Sequence, residues 1–307
     1  MKVNRRSFVK ATVTSSAALL LPDFDIHQNT IKLPSTTSLK IMATNWGFDG
    51  SIEQFCTKAK QAGYDGVELG WPAEPADQKK LLDAAKANQL SFAFLVGVWD
   101  KDDYTSHLKS FEKKLHEAIA TQPLYINCHA GKDHFSWDQN LAFMSMTSKL
   151  SADFKIPIYH ETHRGRILYS APIAKNYIDK IPDLRLTLDI SHWCAVHESL
   201  LSDQAVTIEQ ALKKTEHIHA RIGHPEGPQV SDPRAPEWAK AVEAHFAWWD
   251  EVVKNKIANG STTITFLTEF GPPDYLPTLP FTRQPVANQW DINIYMMHTL
   301  RKRYVTG

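Results

Sequence analysis

Charge of one sign is what this chain most conspicuously lacks. Lys+Arg and Asp+Glu number 34 each, which leaves no basic field to hold nucleic acid or an anionic membrane. Cysteine is scarce as well. Cys56, Cys128 and Cys194 show no CxxC spacing, and an odd count excludes a complete disulfide framework. Their apolar surroundings read as those of buried free thiols. A glycine-rich phosphate loop is missing after the first strand-like run, where "NWGFDGS" has glycines at the wrong spacing for one. That argues against an open, doubly wound nucleotide-binding sheet. No apolar run is long enough to span a membrane either, so stable membrane insertion is not expected.

What is plentiful is histidine and tryptophan, 14 and 9 in 307 residues. Histidine supplies metal ligands and proton carriers, and tryptophan suits the walls of carbohydrate sites or a large core. The N-terminus reads as an address. "NRRSFVK" (4–10) resembles a bacterial twin-arginine export signal, and "ATVTSSAALLLP" follows as a short, hydroxyl-rich apolar region. The expected location is periplasmic. Residues 1–37 are read as export signal and linker, and residues 38–307 as one domain.

From Ser38 onward, eight β-prone runs alternate with helical patterns. The runs are 39–46, 64–71, 90–99, 123–131, 156–163, 184–193, 217–224 and 263–271. Crossovers of this length require parallel strands covered by helices, and eight units closing on themselves predict an α/β fold, the (β/α)8 TIM barrel. In that fold, functional groups gather where strands end. The ends here are polar: Glu68 and Trp71, then His129, then Glu161 with His163, Asp189 with His192, His219 with Arg221, and Glu269. Only alternate strand residues face inward. Glu161, Asp189, His219 and Glu269 can each be the last inward residue of its strand. Three carboxylates and an imidazole converging on one axis need a cation between them. A mainly oxygen donor set without thiolates suits one divalent ion, Mn²⁺, Mg²⁺, Co²⁺ or Zn²⁺. On this reading Asp189 is a ligand rather than a helix cap.

These residues resemble the pattern of the xylose isomerase-like superfamily, in particular its sugar isomerase/epimerase branch. The likeness runs from about Ser38 to Arg303, with Glu161, Asp189-x-x-His192, His219 and Glu269 in the family's order. It implies that Glu161 and Glu269 bind the metal and exchange a proton with a keto sugar. Unlike the keto-sugar 3-epimerases, the chain has "THRGRI" after Glu161 and no second carboxylate there. The implied activity is a metal-dependent isomerase or epimerase acting on an unphosphorylated sugar by enediolate proton transfer. His192, Arg221 and His129 are expected to anchor the substrate. Trp71, with Trp46, Trp99 and Trp193, is expected to wall the pocket, and the proline-rich loop 224–237 to form its rim. A keto-glycoside lyase, a metal-assisted hydrolase and a non-catalytic periplasmic sugar-binding protein are the rival readings. The partner is a small carbohydrate, not nucleic acid. "SHWCAVHESLL" (191–201) serves either a pocket or a subunit contact, so homo-oligomerisation stays open.

Overall fold

Eight parallel strands close into a barrel in the order in which they occur in the chain. The computed structural model describes residues 30–100 and 103–307, so the export signal read at 4–10 lies outside the described residues. The barrel strands are β2 (Ser38–Ala43), β3 (Gly66–Gly70), β4 (Ser91–Gly97), β5 (Ile126–His129), β6 (Ile158–Glu161), β7 (Leu186–Leu188), β8 (Thr215–His219) and β9 (Thr263–Thr268). Closure is made by β2 on β9, six residues in register from Ser38↔Thr263 to Ala43↔Thr268.

Local chemistry accounts for the elements. Ser51 and Ser136 each start a helix with a reciprocal capping box, to Gln54 and Gln139. Gly63 stops the first of these helices in the left-handed conformation (φ 95°) that a side chain would strain. The helix that Ser136 starts runs from Trp137 to Phe154. Outward-facing strand residues such as Val67, Phe94, Leu186 and Phe266 join the helices in one extensive apolar core. A smaller cluster of Met42, Ala93, Tyr125 and Leu267 packs apart from it.

Two departures from the sequence reading matter. Residues Ile31–Leu33, read as linker, form β1, which pairs in parallel with the C-terminal strand β10 (Tyr304–Thr306). The closing end of the chain is further held by Asp250, which receives bonds from Arg303 Nε (2.7 Å) and Tyr304 Oη (2.9 Å). The second departure is at the site. β7 stops at Leu188 because Asp189 already caps a helix, Ile190–Val196, by accepting from Ser191 N at 3.2 Å.

The three cysteines are buried and unpaired, as expected. Burial pushes the Cys56 thiol up to about 11 and Cys194 up to about 12, so neither is a thiolate at neutral pH.

Candidate functional site

Strand alternation brings the four sequence-selected residues together. His217 and His219 share one side of β8, and Glu161 ends β6, while Asp189 and Glu269 follow β7 and β9 directly. Ligand atoms of Glu161, Asp189, His219 and Glu269 all lie within 4.8 Å of one another. His219 Nδ1 is 2.8 Å from Glu269 Oε2 and 3.7 Å from Glu161 Oε2. Glu161 Oε2 also meets His129 Nε2 at 2.9 Å and receives Asn127 Nδ2 at 2.6 Å. Asp189 is shared between two tasks: Oδ1 takes the Ser191 cap, and Oδ2 takes the Arg221 guanidinium.

The electrostatics follow from burial and crowding. Burial works against the Glu161 charge, but His129 and His219 beside it hold the carboxyl well below the usual range. Burial pushes Asp189 up to about 6 despite the pull of Arg221. His219 goes the other way: burial would lower it, yet Glu269, Glu161 and Glu68 raise it well above the ordinary histidine value. Its imidazolium supplies positive charge where a cation would sit. In ordinary ionised forms, Glu68, Glu161, Asp189 and Glu269 outweigh Arg221 and protonated His219 by two charges. The donor set and this deficit fit one divalent cation, whose binding would also require a neutral His219.

Beneath the quartet lies a polar layer built on Glu68, which the sequence reading places at a strand end without its partners. Glu68, from the middle of β3, places Oε1 3.1 Å from His219 Nε2 and Oε2 3.0 Å from His217 Nε2. Tyr125 Oη donates to Glu68 at 2.7 Å and Asn127 Nδ2 at 3.2 Å. With its Nε2–H directed at Glu68, His219 turns Nδ1 toward Glu161 and Glu269, as a metal-binding imidazole requires. Glu68→Gln is therefore expected to weaken divalent-ion affinity about 10–100-fold, with the fold retained. Titration calorimetry with Mn²⁺ checks this, and unchanged affinity would remove Glu68 from the metal centre.

A cavity of about 530 Å³ opens above these groups. Its walls include Glu161, Glu269, Arg221, His129 and His163, with Trp46, Trp99 and Tyr275 as aromatic faces. Trp46 and Tyr275 meet edge to face, ring centres 4.8 Å apart. Residues 56–235 match the family model described as the xylose isomerase-like TIM barrel. The chain belongs to the xylose isomerase-like TIM barrel family. No curated protein matches it. Among solved structures, D-allulose 3-epimerase from a Methylomonas species is similar at 16% identity and TM-score 0.56, covering 90% of this chain and 100% of that one. A 3-keto-D-glucoside 4-epimerase from E. coli is similar at 14% identity and TM-score 0.54, covering 86% of this chain and 99% of that one. Endonuclease IV from Thermus thermophilus is similar at 11% identity and TM-score 0.51, covering 86% of this chain and 98% of that one. One barrel thus hosts sugar and nucleic-acid chemistry, and the likeness establishes the fold.

Within this family barrel, the expected substrate anchors divide. His129 and Arg221 reach the cavity. His192 is fully buried behind it, with Nε2 2.8 Å from an Arg221 nitrogen, so it supports Arg221 rather than lining the pocket. Trp71 is a correction. Its indole turns to the helix Tyr104–Ile119, donating to Glu117 Oε2 at 3.2 Å and packing edge-on against Phe94. Trp193 is likewise core, donating to Leu168 O at 2.9 Å. Among the described residues, none of the loop 224–237 lines the cavity. Instead, Gln229 in that loop bonds the backbone of Gly271 through both amide atoms. His160 faces away from the site, 2.7 Å from Thr147 Oγ1, and His197 Nε2 accepts from Ala171 N at 3.1 Å. Sequence reasoning misses Tyr275, which sits in a loop after β9 where nothing in local periodicity marks it.

Proposed function

We propose that the protein is a divalent-metal-dependent sugar isomerase or epimerase acting on an unphosphorylated keto sugar. The carrying observation is the convergence of Glu161, Asp189, His219 and Glu269 beneath a cavity that both glutamates line. The activities of two fold neighbours, both sugar epimerases by name, support the reading. The export-signal resemblance of residues 4–10 supports a substrate without phosphate.

Glu161, Asp189, His219 and Glu269 would hold the metal, which would polarise a substrate carbonyl and acidify the adjacent C–H. The rest falls to the chain. Glu161 and Glu269 come from opposite flanks of His219 in strand order, so one can remove the α-proton and the other return it. Arg221 reaches the cavity while paired with Asp189, and supplies a fixed donor for a substrate oxygen. His129, hydrogen-bonded to Glu161, orients that carboxylate. Trp46, Trp99 and Tyr275 give the sugar ring apolar faces and exclude water from it.

The test is a panel of ketoses and keto-glycosides with the Mn²⁺-loaded protein in D₂O. Solvent deuterium at the carbon beside the carbonyl, without release of a leaving group, is the expected result. Release of an aglycone makes the protein a lyase or hydrolase, and binding without exchange or turnover makes it a sugar-binding protein. Either outcome overturns the isomerase reading.

A further inference from the structure

Two arginines on the turn that follows the cavity-lining His163 have no ion-pair partner among the described residues. Six of the eight arginines described form ion pairs: Arg185, Arg221, Arg234, Arg283, Arg301 and Arg303. Arg164 and Arg166 do not, and neither guanidinium donates a hydrogen bond to a described residue. Both sit on the turn that leaves β6 directly after Glu161 and Thr162. Their placement is built rather than casual. Gly165 adopts φ 74°, Arg166 N donates to His163 O at 3.2 Å, and His163 Nδ1 donates to Arg164 O at 2.5 Å. His163 itself lines the cavity, so the turn is fixed to the pocket wall.

The guanidinium of Arg164 lies 5.2 Å from the ring centre of Tyr275, another wall residue. Arg166 is half-buried, and its Nε has neither water-accessible surface nor a partner. Burial lowers its pKa below the ordinary arginine value, the mark of a desolvated cation that internal acids do not compensate. Its neighbour Asp133 pairs with His134 instead, at 3.3 Å. A planar guanidinium fork with open N–H groups matches a carboxylate in two-point geometry.

We propose that Arg164 and Arg166 form an anion-binding subsite beside the cavity, and that the sugar turned over carries a carboxylate, as a keto-uronate does. This rests on the isomerase/epimerase reading above and narrows its substrate class. With a divalent ion balancing the inner carboxylates, the two arginines set the sign of the field an entering substrate meets.

The experiment measures calorimetric affinity of the Mn²⁺-loaded full chain for matched pairs: D-fructuronate with D-fructose, and D-tagaturonate with D-tagatose. D-fructose 6-phosphate is the phosphate arm. Wild type is expected to bind at least one uronate about tenfold or more tighter than its neutral partner, the scale of one charge-assisted hydrogen bond. The R164Q/R166Q variant is expected to bring the pair within about twofold and to leave the affinity for the neutral sugar unchanged, which also shows that it folds. High salt should narrow the wild-type preference, since Arg164 is exposed. Equal wild-type affinities, or a preference that survives in the double variant, overturn the subsite. Tighter binding of the phosphate ester overturns the carboxylate assignment. Deuterium exchange into a neutral ketose is read separately, so the isomerase reading can stand when this inference fails.

Discussion

Glu269→Gln is expected to lower kcat by about 10²–10⁴-fold, the usual cost of losing a general base, while the purified variant keeps most of its metal. The amide retains one oxygen for coordination beside His219 Nδ1, which lies 2.8 Å from Glu269 Oε2. It cannot take up a proton at neutral pH. The side chain is 12% exposed at the cavity wall, so an isosteric change leaves no void in the core. Its 3.8 Å approach to Arg221 is secondary, because Arg221 is held mainly by Asp189. The loss should therefore fall on kcat, with KM nearly unchanged. Steady-state rates and elemental analysis of the same preparation check it together. Wild-type turnover in the variant would end the proton-transfer role of Glu269, even with a full complement of metal.

The barrel was legible because strand–helix alternation is a long-range, repeated signal, and each crossover length independently demands a parallel pair. The quartet was legible for a related reason. A carboxylate at the end of an apolar strand contradicts its surroundings, and period-two alternation tells which residues can point inward. The rest depended on facts that no local window contains. Glu68 lies mid-strand, between Val67 and Leu69, and takes its meaning only from His217 and His219 across the barrel. Trp71 follows its strand as Trp46 does, but a residue just past a strand turns inward or outward with its loop, and Trp193 lies in the helix Ile190–Val196, which turns it to the core. β1 and β10 have three residues each, too few for periodicity, and their pairing joins the two ends of the described chain. Tyr275 and the unpaired Arg164 become visible only when the loops after β6 and β9 meet.

Asp189 shows how one residue can answer two questions that the sequence poses as alternatives. In the sequence it reads as a ligand rather than a helix cap. In the fold it is fully buried at the ligand cluster, and it also caps the helix Ile190–Val196 while holding the buried guanidinium of Arg221. Asp189→Ala is therefore expected to cost metal and stability together. Leaving a buried charge without its partner typically costs about 3–5 kcal/mol, and the lost cap about 1 kcal/mol more. Glu269, 3.8 Å from Arg221, offsets part of this, which places the expected total near the lower end of that range. Asp189→Asn separates the two effects. Its amide oxygen can still accept from Ser191 N, so the helix start survives, but an amide NH₂ then faces the Arg221 guanidinium and the charge that attracts a divalent ion is gone. Thermal unfolding should thus rank wild type, Asn and Ala in falling order, while calorimetry with Mn²⁺ should show both variants binding far more weakly. An alanine variant as stable as wild type would mean that Arg221 finds another counter-charge. Full metal affinity in the asparagine variant would remove Asp189 from the centre and leave it a structural cap.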